Sequence, residues 1–193
     1  MSRVEVLWHS NELASSEHCS MSLTADGAVL LGTAVLPVGD QPGQIQWTAR
    51  TDGAGRTRSA QAAITTPDGT RRLALTVDDE QRWRLDDEPA DHLAGALDVD
   101  FGWTPATNTL PIRRLGLAVG AATTITAAWV RFPELDVVAS EQTYTRLADD
   151  RWRYTSGRFE AELEVDPATG VVRRYGTDLW RAVVYTARQQ PSA

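Results

Sequence analysis

The stretch DVDFGWTPATNTLPIRRL, Asp98 to Leu115, concentrates the side chains of this protein that can do chemistry: two acids, two arginines and a Thr/Asn cluster. Asp98 and Asp100 alternate with Val99, Phe101 and Trp103, so on a strand the acids share one face and the large apolar groups take the other. Carboxylates at i and i+2 on a strand stand about 6.5–7 Å apart, the lower edge of the separation used by inverting glycoside hydrolases. Three readings are open for the pair. The acids neutralise Arg113 and Arg114, since a guanidinium near an interior must be paired. Alternatively, Asp98, Asp100, Trp103, Thr104, Asn108, Arg113 and Arg114 contact a polar head group. In the third reading, Asp98 or Asp100 is the general base of a small hydrolase or isomerase.

Other sources of catalysis are sparse. His9, His18 and His92 form no HExxH or comparable ligand spacing, and no GxSxG elbow occurs. Glu17, His18 and Cys19 are consecutive, but neighbours on a strand point to opposite faces, so His18 does not serve as a base for Cys19. Cys19 reads as a small buried hydrophobe. These observations favour binding over turnover, with no cofactor and no metal expected.

The elements around this stretch are β-patterned. QIQWTAR places Ile45, Trp47 and Ala49 on one side, RRLALTV does the same with Leu73, Leu75 and Val77, and FEAELEVD with Phe159, Ala161, Leu163 and Val165. Such strands have one wet face. Turn signals separate them at Asp26-Gly27, Asp52-Gly53, Pro67-Asp68-Gly69 and Thr169-Gly170. AVLLGTAVL, Ala28 to Leu36, is apolar on both faces and predicts a central strand covered on each side. Pro105 and Pro111 end any ladder, and Thr107, Asn108 and Thr109 can open a helix over Leu110 to Leu117. The seven tryptophans read mainly as core filling; Trp103, next to the Thr/Asn loop, is the one to follow toward a ligand.

Composition sets the outer limits. A chain of 193 residues predicts one domain, 1–193, large enough to bury its own core. DDEQRWRL around Trp83 echoes ADDRWRYT around Trp152, which offers a division into halves of about 1–97 and 98–187, although acidic hairpin turns before an aromatic strand explain the echo equally well. One cysteine excludes an internal disulfide and any multi-thiolate metal site. Nineteen basic residues, all arginine, against 26 acidic ones give a net charge of −7, which argues against nucleic acid and anionic membrane surfaces. No window approaches a membrane span, and the N-terminus lacks the apolar run of a secretory signal, so the expected location is cytoplasmic.

GALDVDFGWTPATNTLPIRRL, EHC at Glu17 to Cys19, AWVRFPEL from Ala128, EQTYTRL from Glu141 and FEAELEVDPATGVVRRY from Phe159 together resemble the putative glycolipid-binding family, in collinear order over nearly the whole chain. The resemblance implies a mainly β fold: a single antiparallel spiral β-roll, barrel-like, wrapped around one short central helix, similar to bacterial lipoprotein carriers. It implies an amphipathic ligand such as a glycolipid held inside the roll, and no catalytic residues. The chain departs from the family pattern at Ala96, often a cysteine, so no role joining Cys19 to a second thiol is implied. Alternation alone does not distinguish a hollow roll from a packed one.

Overall fold

The computed structural model describes residues 2–10, 12–177 and 179–186, leaving the ends of both expected halves outside the described residues. The alternating segments form β1 (Ser2–Ser10), β2 (Ser15–Thr24), β3 (Gly27–Val38), β4 (Gln41–Thr51), β5 (Thr57–Thr66), β6 (Gly69–Val77), β7 (Trp83–Leu85) and β8 (Glu88–Pro89). After a 3-10 turn at Asp91–Leu93 come β9 (Asp98–Phe101), a second 3-10 turn at Ala106–Asn108 and α1 (Thr109–Leu115). The chain continues through β10 (Ala122–Val130), β11 (Val137–Arg146), β12 (Arg151–Ser156), β13 (Phe159–Val165), β14 (Val172–Tyr175) and β15 (Trp180–Thr186).

All fifteen strands belong to one sheet that does not close, in the order β8-β7-β6-β5-β4-β3-β2-β1-β15-β14-β13-β12-β11-β10-β9. Two meanders are thus joined where β1 pairs antiparallel with β15, Val6 opposite Val184 and Trp8 opposite Ala182. The pairing of β9 with β10 is parallel, Asp98 opposite Ala127 and Asp100 opposite Trp129. Each expected turn falls between two strands. At Asp26-Gly27 the glycine is required: its φ is +135°, and a Cβ there would stand 2.1 Å from the Thr51 carbonyl oxygen.

The sheet curls so that one face forms a single core. Ile45, Trp47, Ala49, Leu73, Leu75, Val77, Ala161, Leu163 and Val165 are buried as the alternation predicts. Two expectations are corrected. β3 is central but covered on one face alone, with Leu31 and Val35 exposed, because a single-layered roll has nothing packed outside it. Phe159 begins its strand exposed, stacked on Tyr175 at 6.1 Å.

The helix begins one residue and ends two residues before the expected Leu110 to Leu117. It runs Thr109–Leu115 and stops at Gly116, whose left-handed conformation (φ 52°) turns its N–H back to the Ile112 carbonyl. No side chain caps its start, because the preceding 3-10 turn already carries the chain into helical geometry. Thr109, Leu110, Pro111 and Ile112 are buried, so this short helix is the plug around which the roll winds.

Candidate functional site

β9 is the strand that aims the acids, and it is held from two sides. Besides its pairing with β10, the Leu97 carbonyl accepts the Thr57 N–H at 2.9 Å, and the Val99 N–H donates to Thr57 Oγ1 at 2.9 Å. Phe101 meets the Trp47 ring edge-on at 5.3 Å and stacks on Trp103 at 4.6 Å. This packing fixes β9 and the loop after it as a rigid wall inside the curl.

The two acids part company. Arg114, in the last turn of α1, donates through Nε to Asp98 Oδ1 at 3.1 Å and through Nη2 to Asp98 Oδ2, a forked pair with Asp98 fully buried. Burial pushes the Asp98 carboxyl up from its ordinary range, against the pull of Arg114. Among the described residues, Asp100 meets no guanidinium. Its Oδ1 accepts from the Thr107 hydroxyl at 3.2 Å and its Oδ2 from Gln142 Nε2 at 2.7 Å. Burial raises its carboxyl too, opposed by the Gln142, Thr107 and Tyr154 hydrogen bonds and reinforced by the charge of Asp98. Arg113 pairs with neither acid: Nη1 donates to the Thr169 carbonyl at 2.9 Å. One ion pair therefore forms where two were expected, because successive residues on a helix point about 100° apart and only Arg114 faces β9.

A cavity of about 740 Å³ opens beside Asp100, within the range of about 300–1,000 Å³ common for small-molecule sites. Asp100, Thr104 and Asn108 of the sequence-derived set stand in its wall. Asp98 and Trp103 lie behind the wall, and Trp103 is 1% exposed. Arg113 and Arg114 border a separate depression of about 230 Å³ beside Thr51 and Asp52. Of the two alternatives that alternation leaves open, a hollow roll and a packed one, the larger cavity favours the hollow one.

The second meander adds five aromatic rings to the wall, Trp129, Tyr154, Phe159, Tyr175 and Trp180, together with aliphatic Val138 and Leu179 and polar Ser140, Glu141 and Ser156. Tyr154 packs edge-on to Tyr144 at 5.2 Å and to Phe159 at 6.1 Å. Burial, with the nearby Asp100 charge, raises the Tyr154 phenol, and burial with the Tyr154 and Asp100 charges raises Tyr175, so both remain hydroxyl donors at neutral pH. None of these rings was singled out for binding from the sequence. Trp129 sits within AWVRFPEL, and Phe159 and Tyr175 within FEAELEVDPATGVVRRY, so the available signal is their place in stretches distinctive enough to carry the family resemblance.

Behind the opposite wall, Glu17 of β2 is buried with Oε1 accepting from Trp47 Nε1 at 2.8 Å, while Oε2 makes no hydrogen bond. Burial pushes its carboxyl up to about 7, against the pull of Thr104 and Trp47. Cys19 is buried on the same strand face, its thiol raised well above the ordinary range by burial and by the neighbouring Glu17. His18 points the other way, to Glu5 Oε2 at 2.9 Å.

A curled, unclosed antiparallel sheet with a helix in its bore and a half-aromatic hollow beside it defines a β-roll with an internal binding cavity. The chain belongs to the family described as "Putative glycolipid-binding", whose model matches residues 5–181. It is similar to the crystal structure of a DUF1089 family protein from Pseudomonas aeruginosa, with 32% identity, 85% of this chain and 90% of that chain covered, and a TM-score of 0.76. A second likeness, to a β-barrel-like protein of the domain of unknown function DUF1849 from Brucella abortus, is one of fold: 10% identity, 97% of each chain covered, TM-score 0.50. No protein of curated function matches the chain. None of the helices among the described residues is long and apolar enough to cross a membrane.

Proposed function

We propose that this protein binds an amphipathic, glycolipid-like molecule in the cavity beside Asp100, and that it does so in the cytoplasm. The observation that carries the proposal is the composition of that wall, which combines five aromatic rings of the second meander with polar groups that include Asp100, Thr104 and Asn108. Rings with one dry and one wet side suit both an alkyl chain and the face of a sugar, and a few fixed polar groups set the orientation. Asp98 supports binding over turnover, since both its oxygens are engaged by Arg114. The family description points the same way.

Native mass spectrometry of the purified protein, followed by solvent extraction, tests the reading. A reproducible co-purifying amphipath, displaced by titration with octyl β-D-glucoside, is the expected result. The reading fails if the protein is empty and octyl β-D-glucoside shows no saturable binding. Cell fractionation checks the location.

A further inference from the structure

The polar corner has a hydrogen-bond direction that can be worked out atom by atom. Both Asp100 oxygens act as acceptors, Oδ1 for the Thr107 hydroxyl at 3.2 Å and Oδ2 for Gln142 Nε2 at 2.7 Å, which fixes the sense of the Gln142 amide. Gln142 Oε1 then faces Tyr144, whose hydroxyl donates to it at 3.5 Å. With its proton committed, the Tyr144 oxygen accepts, and Asn108 supplies Nδ2 at 2.8 Å. Asn108 therefore keeps its Oδ1 as an acceptor. Gln142 and Tyr144 are each about 1% exposed, so water does not scramble this chain of bonds. The corner presents the Asp100 carboxylate and the Asn108 carbonyl to the cavity, two acceptors with a fixed sense.

Charge sharpens the preference. Among the described residues, neither arginine nor histidine lines the cavity, and the chain contains no lysine. Glu141, on the rim, adds a second acid, and the chain as a whole carries −7. An anionic head group would meet hydrogen-bond acceptors at Asp100 and Asn108 and the Glu141 acid at the rim, with no cation among the described lining residues to compensate its charge.

Resting on the proposed binding of an amphipath, we infer that the cavity selects an uncharged, hydroxyl-rich head group that donates hydrogen bonds to Asp100 and Asn108, and rejects lipids with phosphate, sulfate or carboxylate heads. The two arginines of the Thr/Asn segment, which by composition alone look like anion binders, are held outside this cavity by Asp98 and Thr169.

A matched pair of probes tests this: octyl β-D-glucoside and octyl β-D-glucuronide share chain and ring, and differ by one carboxylate. Calorimetric titration near neutral pH, below the micelle concentration of each, is expected to show the glucoside bound at least tenfold more tightly. Asp100→Asn should narrow the gap to threefold or less by removing the repulsion. Asn108→Ala, which keeps the carboxylate, should weaken glucoside binding and leave the preference. Equal binding of the two probes, or tighter binding of the glucuronide, overturns the selectivity while leaving the cavity a binding site. Absence of binding by both overturns the binding reading and the selectivity with it. The wild-type comparison decides the matter even if a variant fails to fold.

Discussion

Two adjacent arginines, Arg113 and Arg114, have opposite fates in the structure, and replacing each by methionine should separate them. Asp98 is 1% exposed and Arg114 13%, so Arg114→Met strands a carboxylate in the interior. Breaking a buried pair in this way costs about 3–5 kcal/mol, and at about 2–4 °C per kcal/mol for a chain of this size the melting temperature should fall by about 6–20 °C. Arg113→Met loses a single hydrogen bond to the Thr169 carbonyl, about 0.5–1.5 kcal/mol, or about 1–6 °C. The double variant Asp98→Asn/Arg114→Met removes the stranded charge and should recover part of the loss. Lowering the pH into the carboxylate range should recover it as well, because a protonated Asp98 no longer needs its partner. Thermal melts followed by circular dichroism provide the measurement. Equal losses for the two single variants, or a double variant no more stable than Arg114→Met, would refute the assignment of the forked pair as the buried charge contact of the helix.

Glu17 gives a pH signature of its own. Its folded-state value of about 7 lies above the ordinary 4.5, so the folded protein binds the extra proton; the stability it contributes is full below about 4.5 and is lost as pH rises through about 7, roughly 3 kcal/mol in all. Glu17→Gln should flatten that stretch of the stability profile, and denaturant titrations across it that leave wild type and variant parallel would contradict the burial argument. Trp103→Ala, emptying a fully buried site stacked on Phe101, should destabilise by about 3–5 kcal/mol, whereas Trp129→Ala, half-buried on the cavity wall, should cost less stability and more octyl β-D-glucoside affinity. A Trp129→Ala variant with unchanged affinity removes that ring from the site. Cys19 should resist thiol reagents in the native protein and react fully once unfolded; rapid native labelling would show that β2 opens far more readily than its burial implies.

The strands were legible because period-two alternation is a local property. Ile45, Trp47 and Ala49 point inward wherever the sheet goes. Curvature is not local, which is why β3 looked two-faced: nothing in AVLLGTAVL says that the roll has one layer and that Leu31 and Val35 meet solvent. The same limit explains the acids. Alternation places Asp98 and Asp100 on one strand face, but their partners arrive from elements distant in sequence: Arg114 from the helix, and Gln142 from β11, 42 positions further on. The polar corner at Asp100, Thr104 and Asn108 could be read from composition, while the aromatic half of the cavity could not. Tyr154, Phe159 and Tyr175 look like ordinary strand residues until the curl brings them into the same cavity wall as Asp100.

The seam between β1 and β15 sets a schedule for biosynthesis. Every other antiparallel partnership links neighbours in the chain, so hairpins can zip as they leave the ribosome. Among the described strands, however, β1 must wait for β15, and until then the apolar row Val4, Val6 and Trp8 lies beside an unpaired edge. A chain that stops before Trp180 leaves that edge of β1 without its partner, the kind of bare strand edge that templates association with other chains.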